Sequence, residues 1–183
     1  MRLTKNHTAA FIVDYQDKIL PAIYGKDELL KNSTILIRGL KALEVPMIMT
    51  TQYAKGLGDN TQVIRDAAGE LPVFDKNYFS IMDVDEIMKA LPAGTQNIIL
   101  MGIETHICIQ QTAIDLLANG YQVYIPVDCV SAGSKEDHET GLLRMRQEGA
   151  WMSTSESLMM EMLRQASGPV FKEISNLLKE HRR

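Results

Sequence analysis

Three side chains of the kinds that catalyse acyl transfer follow short apolar runs in this chain. Asp14 follows residues 9–13, Lys76 follows residues 71–74, and Cys108 lies six residues after Gly102, which ends another apolar run. A thiolate is a strong nucleophile and a carboxylate can accept its proton. A lysine beside them would favour both anions and lower the pKa of the thiol. The combination therefore points to nucleophilic chemistry at a cysteine.

Each of these residues also has an ordinary structural explanation. Free cysteines are among the most buried residues, so Cys108 taken alone is more often part of a core. Asp14 could cap a helix, and Lys76 could lie on the surface, as most lysines do. The chemical interpretation depends on all three lying at the carboxyl ends of neighbouring strands.

The elements that must position these residues are predicted from apolar runs with little alternation, which are typical of strands covered on both faces. Six such runs lie at residues 9–13, 45–51, 71–74, 97–102, 122–127 and 150–153. Helical patterns fill the gaps between them. The alternation predicts one domain over residues 1–183, an α/β three-layer α-β-α sandwich with a mostly parallel, Rossmann-like sheet. Such sheets bind ligands at the carboxyl ends of their strands.

Cys108 falls in the first turn of a helix predicted over residues 105–118. The positive end of the helix dipole and the unpaired backbone N–H groups there favour a thiolate. The same N–H groups could hold an oxyanion formed when the thiolate attacks a carbonyl. Two further helices have predicted caps, Ser134 with Asp137 and Ser153 or Thr154.

The composition argues against several other classes of protein. The chain has 183 residues, 45% hydrophobic and 23% charged, with a net charge of -4. We expect no nucleic-acid partner, because such proteins usually carry a basic face. No run reaches the ~20 apolar residues of a membrane span, and the N-terminus lacks the apolar core of a signal peptide. A cytoplasmic protein without a membrane partner is expected.

Metal and disulfide sites are not expected either. Two cysteines cannot form a disulfide framework or a four-cysteine zinc site. Cys129 is expected to be structural. The histidines are too dispersed to suggest a metal site from their spacing; they are His7, His106, His138 and His181.

Three segments of the chain resemble the isochorismatase-like cysteine hydrolases, which include nicotinamidases and N-carbamoylsarcosine amidases. These segments are residues 11–16, 76–80 and 102–109. The resemblance covers nearly the whole chain with matching order and spacing. Segments 51–58, 143–146 and 153–156 are especially similar to the short isochorismatase-domain-containing subgroup.

This resemblance implies a catalytic triad of Asp14, Lys76 and Cys108, with no cofactor and with assembly into a homo-oligomer. It also implies a non-proline cis peptide bond between Ile103 and Glu104. The backbone N–H groups of Glu104 and Cys108 would then form the oxyanion hole. The Glu104 side chain departs from the small residue that amidases often have at this position.

Two members of the family are disfavoured by departures from their patterns. Nicotinamidases carry an Asp/His metal cluster after the second strand, whereas residues 52–59 here contain no histidine. Isochorismatase proper has no nucleophilic cysteine at the position of Cys108. No metal is therefore expected, and Cys108 favours amide or related acyl chemistry.

The sequence thus predicts a metal-independent cysteine hydrolase that acts on a small amide-like substrate through a thioester. The substrate pocket is expected to be lined by Gln52, Tyr53, Tyr78 and Phe79. Two alternatives stay open, a non-catalytic binding or scaffold protein on the same fold and a hydrolase of a non-amide substrate.

Overall fold

The computed structural model describes residues 2–181 and is built on one sheet of parallel strands. The strands are β1 (Thr8–Val13), β2 (Met47–Gln52), β3 (Val73–Lys76), β4 (Asn97–Ile103), β5 (Gln122–Pro126), β6 (Val130–Ser131) and β7 (Trp151–Ser153). Their order is β3-β2-β1-β4-β5-β7, and β6 pairs with the end of β4. The predicted α/β sandwich is confirmed, and the short β6 is a strand that the sequence did not predict.

Helices cover both faces of this sheet. They are α1 (Lys26–Ala42), α2 (Ala54–Leu57), α3 (Gln62–Ala68), α4 (Asp85–Lys89), α5 (Gln110–Ala118), α6 (Lys135–Gln147), α7 (Ser155–Leu163) and α8 (Pro169–His181). Helix α1 packs against α3, α7 and α8 on one face, whereas α5 packs against α6 on the other. Within residues 2–181, no helix is both long and apolar enough to cross a membrane.

The central strands are buried on both faces, which explains why their sequences show no alternation. Ile12 of β1 belongs to the apolar cluster beneath α1, whereas its neighbours Phe11 and Val13 belong to the cluster beneath α5. All six residues of β1 are buried. A strand covered by helices on both sides requires apolar side chains at consecutive positions.

Two helix starts follow the predicted capping chemistry. Ser134 Oγ accepts a hydrogen bond from the Asp137 N–H at 3.1 Å at the start of α6. Thr154, and not Ser153, caps α7, since its Oγ1 accepts from the Ser157 N–H at 3.3 Å. Each cap satisfies a backbone donor that has no partner within its helix.

The register of the strands brings three carboxyl ends to one edge of the sheet. Val13 of β1 lies opposite Thr50 of β2 and Gly102 of β4, and Gln52 of β2 lies opposite Lys76 of β3. The residues at and just beyond these positions are those for which the sequence predicted chemistry.

Candidate active site

Asp14 lies immediately after β1 in a left-handed backbone conformation, with φ of 60°. Its side chain is buried, and its Oδ1 accepts a hydrogen bond from Thr50 Oγ1 at 2.7 Å. The first helical turn after it, Leu20–Ala22, has Ile19 at its N-cap, so the helix-cap explanation of Asp14 is wrong. The left-handed conformation is uncommon for a non-glycine residue, although aspartate adopts it more readily than most.

Lys76 is the last residue of β3, and its side chain is fully enclosed. Its Nζ lies 2.6 Å from Asp14 Oδ2, 2.7 Å from Gln52 Oε1 and 3.9 Å from Cys108 Sγ. The surface-lysine explanation is therefore wrong. A buried ammonium is costly to desolvate unless it is paired and hydrogen-bonded, and these contacts supply both conditions.

Cys108 lies in a π-helical turn, Thr105–Ile109, that precedes α5. The sequence predicted the first turn of an ordinary α-helix at this point. Single π-turns insert one extra residue into a helix and occur frequently at functional sites. The Cys108 side chain is almost completely buried, and both Lys76 and Asp14 are close enough to influence the pKa of its thiol. Its thiol thus lies beside both the acid and the lysine.

The cis peptide bond expected between Ile103 and Glu104 is not found, because no peptide bond within residues 2–181 is cis. That prediction is wrong for this structure. The chain changes direction after β4 by a different means, since Glu104 adopts left-handed angles of φ 59° and ψ 61°. The side chain at this position is therefore carried on an unusual backbone conformation.

The turn after β4 leaves backbone donors near the thiol. Within residues 2–181, the Glu104 N–H has no hydrogen-bond acceptor. The Glu104 carbonyl accepts from the N–H groups of Ile107 at 2.9 Å and Ile109 at 3.4 Å. An α-helix would instead pair this carbonyl with the Cys108 N–H. Both donors expected for an oxyanion hole thus lie at the turn, and Cys108 N–H is not bonded to the Glu104 carbonyl.

The surroundings of Cys108 favour the protonated form of its thiol. Burial raises its pKa to about 12, and the charges of Asp14 and Glu104 act in the same direction. The Lys76 ammonium lowers the pKa of the thiol, as predicted, but burial outweighs it. The net lowering predicted from the sequence is therefore wrong.

The four residues expected to line a pocket have different positions. Gln52 contacts the lysine of the triad. The aromatic side chains are about half exposed, at 51% for Tyr53, 58% for Tyr78 and 50% for Phe79. The Tyr53 N–H donates to the Lys76 carbonyl at 2.9 Å, which ties its backbone to the end of β3.

Several polar residues around the triad were not singled out from the sequence. The side chain of Gln16 is buried against the backbone of Gln52, and Thr50 binds Asp14. Thr105 Oγ1 in the π-turn is hydrogen-bonded to His138 Nδ1 at 3.0 Å. The signal available in the sequence was the run Thr50–Thr51–Gln52, where polar residues interrupt a strand that is otherwise apolar.

Other titratable groups lie near the turn but form no metal centre. Glu104 Oε2 is 3.6 Å from His106 Nδ1, and burial raises the pKa of the Glu104 carboxyl. No cluster of three or more histidine, cysteine or acidic side chains suited to a metal ion occurs within residues 2–181. Cys129 is fully buried, and burial together with Asp128 raises its pKa.

Comparisons with known proteins identify the family. The model of the isochorismatase domain matches residues 8–157. Isochorismatase domain-containing protein 2A of Mus musculus is 38% identical over 181 residues, which cover 98% of this chain and 86% of the mouse protein. Isochorismatase domain-containing protein 1 of Salmo salar is 37% identical over 174 residues, covering 94% of this chain but only 61% of the salmon protein.

Solved structures agree with the sequence matches. A structure described as the MAR1 ribonuclease of Caenorhabditis elegans superposes with a TM-score of 0.90 at 35% identity, covering 98% of this chain and 93% of the other. The YcaC gene product of Escherichia coli, described as an octameric hydrolase of unknown specificity, has a TM-score of 0.91 at 23% identity. The match covers 100% of this chain and 93% of the E. coli chain. The chain therefore belongs to the isochorismatase-like hydrolase family.

Proposed function

We propose that this protein is a metal-independent cysteine hydrolase that cleaves a small amide-like substrate through a thioester on Cys108. The observation that carries the proposal is the buried contact of one ammonium, Lys76 Nζ, with both Asp14 Oδ2 at 2.6 Å and Cys108 Sγ at 3.9 Å. An acid, a lysine and a thiol enclosed together suit acyl transfer to sulfur.

In the first half of the reaction, Asp14 takes the proton of the Cys108 thiol while the sulfur attacks the carbonyl carbon of the substrate. The negative charge moves to the carbonyl oxygen, which the N–H groups of Glu104 and Cys108 stabilise. The carbon–nitrogen bond then breaks. The leaving amine takes the proton held by Asp14, and the acyl group stays on the sulfur as a thioester.

In the second half, a water molecule replaces the amine. Asp14 accepts a proton from the water as its oxygen attacks the thioester carbonyl. Collapse of this second tetrahedral intermediate breaks the carbon–sulfur bond, and the sulfur regains a proton from Asp14. Lys76 stabilises the sulfur whenever it carries negative charge. The products are a carboxylic acid and an amine, and no cofactor is required.

The half-exposed aromatic residues Tyr53, Tyr78 and Phe79 form part of the proposed substrate pocket. Tyr53 follows β2, and the other two follow Lys76 within three residues. Side chains with an apolar ring and modest burial can cover a small ligand without the desolvation cost of charged groups.

The test is turnover of a panel of small carboxamides, ureas and imides by the natural protein and by Cys108→Ser, read as ammonia release for the carboxamides and ureas and as loss of the imide by chromatography for the imides. We expect at least one substrate to be hydrolysed and Cys108→Ser to lose 100-fold or more of that rate, because a serine hydroxyl is a much poorer nucleophile in this site. Cys129→Ser is the matched control and keeps the rate. Full turnover by Cys108→Ser overturns the covalent mechanism. If neither the natural protein nor the variants hydrolyse any substrate of the panel, a binding or scaffold role is favoured.

Hydrolysis of RNA is the second candidate function. The 35% identical C. elegans relative is described as a ribonuclease, and exposed aromatic rings can stack on unpaired bases. A single-stranded RNA oligonucleotide therefore belongs in the same panel, with esters as further non-amide substrates. Cleavage of RNA that is equal in Cys108→Ser and the natural protein would show a reaction outside the proposed triad.

The proposal extends to the state and location of the protein. A homo-oligomer is supported by the E. coli structure described as octameric and by exposed apolar side chains such as Leu143 and Trp151. Light scattering measures the copy number. A cytoplasmic location agrees with two unpaired cysteines, and cell fractionation distinguishes it from export, since a 33% identical relative in Phytophthora sojae is named a secreted effector.

A further inference from the structure

Lys76 is held by two acceptors of different charge. Asp14 Oδ2, at 2.6 Å from Nζ, is a carboxylate oxygen, whereas Gln52 Oε1, at 2.7 Å, is a neutral amide oxygen. The ammonium has three donors, and these two acceptors leave one for Cys108 Sγ at 3.9 Å. Gln52 and Asp14 therefore both hold Nζ in its position 3.9 Å from the sulfur, through hydrogen bonds of similar length.

Gln52 is itself fixed by a buried side chain from the segment after β1. Gln16 Nε2 donates to the Gln52 carbonyl at 3.1 Å, and Gln16 Oε1 accepts from the Gln52 N–H at 2.8 Å. The Gln16 amide thus binds both backbone groups of Gln52, as a neighbouring strand would. A further bond from Gln16 Nε2 to the Gly58 carbonyl at 2.6 Å anchors the same amide.

We propose that Gln52 is a positioning residue that holds the Lys76 ammonium against Cys108 without cancelling its charge. The inference rests on the proposed function, in which Cys108 is the nucleophile. Asp14 already balances the charge of Lys76. A second carboxylate at residue 52 would give the group a net negative charge and oppose formation of a thiolate, whereas an amide satisfies the donor and leaves the charge unchanged.

The charged groups that act on the Cys108 thiol are few. Lys76 favours the thiolate, whereas Asp14 and Glu104 oppose it. Because the thiolate is the species that reacts with alkylating reagents, the rate of alkylation at a fixed pH measures this balance directly. Far below the pKa of the thiol, a rise of one unit in that pKa lowers the thiolate fraction tenfold, and the rate falls by several-fold because the more basic thiolate is also more nucleophilic.

The experiment compares iodoacetamide alkylation of Cys108 in the natural protein, Gln52→Glu and Gln52→Met at pH 8 and pH 9, followed by mass spectrometry of the Cys108 peptide. We expect Gln52→Glu to react at least about threefold more slowly at both pH values, the effect of a rise of one unit or more in the pKa of the thiol. Gln52→Met removes the acceptor without adding charge. We therefore expect its alkylation rate to fall below that of the natural protein, but by less than in Gln52→Glu. Equal rates for the natural protein and Gln52→Glu overturn the proposal, as do equally slow rates for the two variants.

Gln96→Glu is the matched control, because Gln96 is exposed just before β4, at the opposite edge of the sheet and roughly 20 Å from the triad. It keeps the natural rate. Thermal melting shows whether each variant is folded. If Gln52→Glu does not fold, Gln52→Met decides, since an unchanged rate in that variant overturns the proposal. Alkylation needs no substrate, so an inactive panel contradicts only the proposed function, and unshifted alkylation contradicts only this inference.

Discussion

At the scale of single residues, the thiol of the candidate nucleophile Cys108 is difficult to ionise. The pKa of the Cys108 thiol is raised to about 12 by burial, despite the neighbouring ammonium. At neutral pH the thiolate is therefore a minor species, and in the proposed mechanism Asp14 takes the proton.

The first prediction concerns the pH dependence of Cys108 alkylation. Because the pKa of the thiol is raised, the thiolate fraction rises about tenfold for each pH unit between pH 7 and pH 10 without a plateau. Second-order rate constants for iodoacetamide over this range measure it, with a small-molecule thiol as the control. A plateau near pH 7 would mean that the thiol is ionised at neutral pH and would contradict this description of the site.

A second residue-scale prediction concerns Glu104, whose charge raises the pKa of the Cys108 thiol. Replacing the carboxylate by an amide removes that effect, so Glu104→Gln should alkylate faster than the natural protein at pH 8. The left-handed backbone at this position is retained because the side chain keeps its size. Glu70→Gln, at an exposed position, is the control and should be unchanged. A slower reaction of Glu104→Gln would show that the side chain acts by holding the turn.

At the scale of elements, the π-turn that carries Cys108 packs tightly against helix α6. A Cβ added at the buried Gly141 of α6 would lie 3.1 Å from backbone atoms of Thr105 and His106. The Thr105–His138 hydrogen bond joins the same two elements. The short contact at Gly141 therefore helps to determine where the turn, and with it the Cys108 N–H, lies.

Gly141→Ala should displace the π-turn by a few tenths of an ångström. Alanine in a helix interior normally stabilises by ~1 kcal/mol relative to glycine, so the close contact should cancel that gain. We expect unchanged or lower stability in urea unfolding and slower turnover of the accepted substrate. Thr140→Ala on the exposed side of α6 is the matched control and should be stabilised without loss of activity. A stabilised and fully active Gly141→Ala would contradict this role for the contact.

The difference between the predicted helix and the observed turn has a local cause. The sequence of residues 105–118 has apolar positions that suit a continuous α-helix. A π-turn has one residue more per hydrogen-bonded turn than an α-helix. The π-turn here follows the left-handed Glu104 and packs against α6, which is distant in sequence. Helices α2 and α3 were not predicted either, because their seven residues or fewer give too short a pattern.

At the scale of the whole molecule, the order of the strands brings Asp14, Lys76 and Cys108 together. Asp14 follows the central β1, whereas Lys76 ends the edge strand β3 and must reach past β2 to meet it. The sequence predicted that these residues lie at carboxyl ends of parallel strands. It could not predict that β3 lies two strands from β1, nor that Gln52, at the end of the intervening strand, contacts the lysine on its way.

Burial explains the remaining differences between prediction and structure. The sequence indicated an ammonium near a thiol, from which a lowered pKa follows, but the extent of enclosure depends on helices from both faces of the sheet. That enclosure reverses the net shift of the pKa. The single domain over residues 1–183 and the roles of the site residues stay predictions.

The formation of a thioester on Cys108 is the central claim, and it can be measured directly. An accepted substrate is mixed with the protein and quenched in acid during turnover, and the Cys108 peptide is examined by mass spectrometry. We expect this peptide to gain the mass of the acyl group, the Cys129 peptide to stay unmodified, and Cys108→Ser to form no adduct and lose turnover. Turnover without an acyl group on Cys108, retained in Cys108→Ser, would contradict this claim.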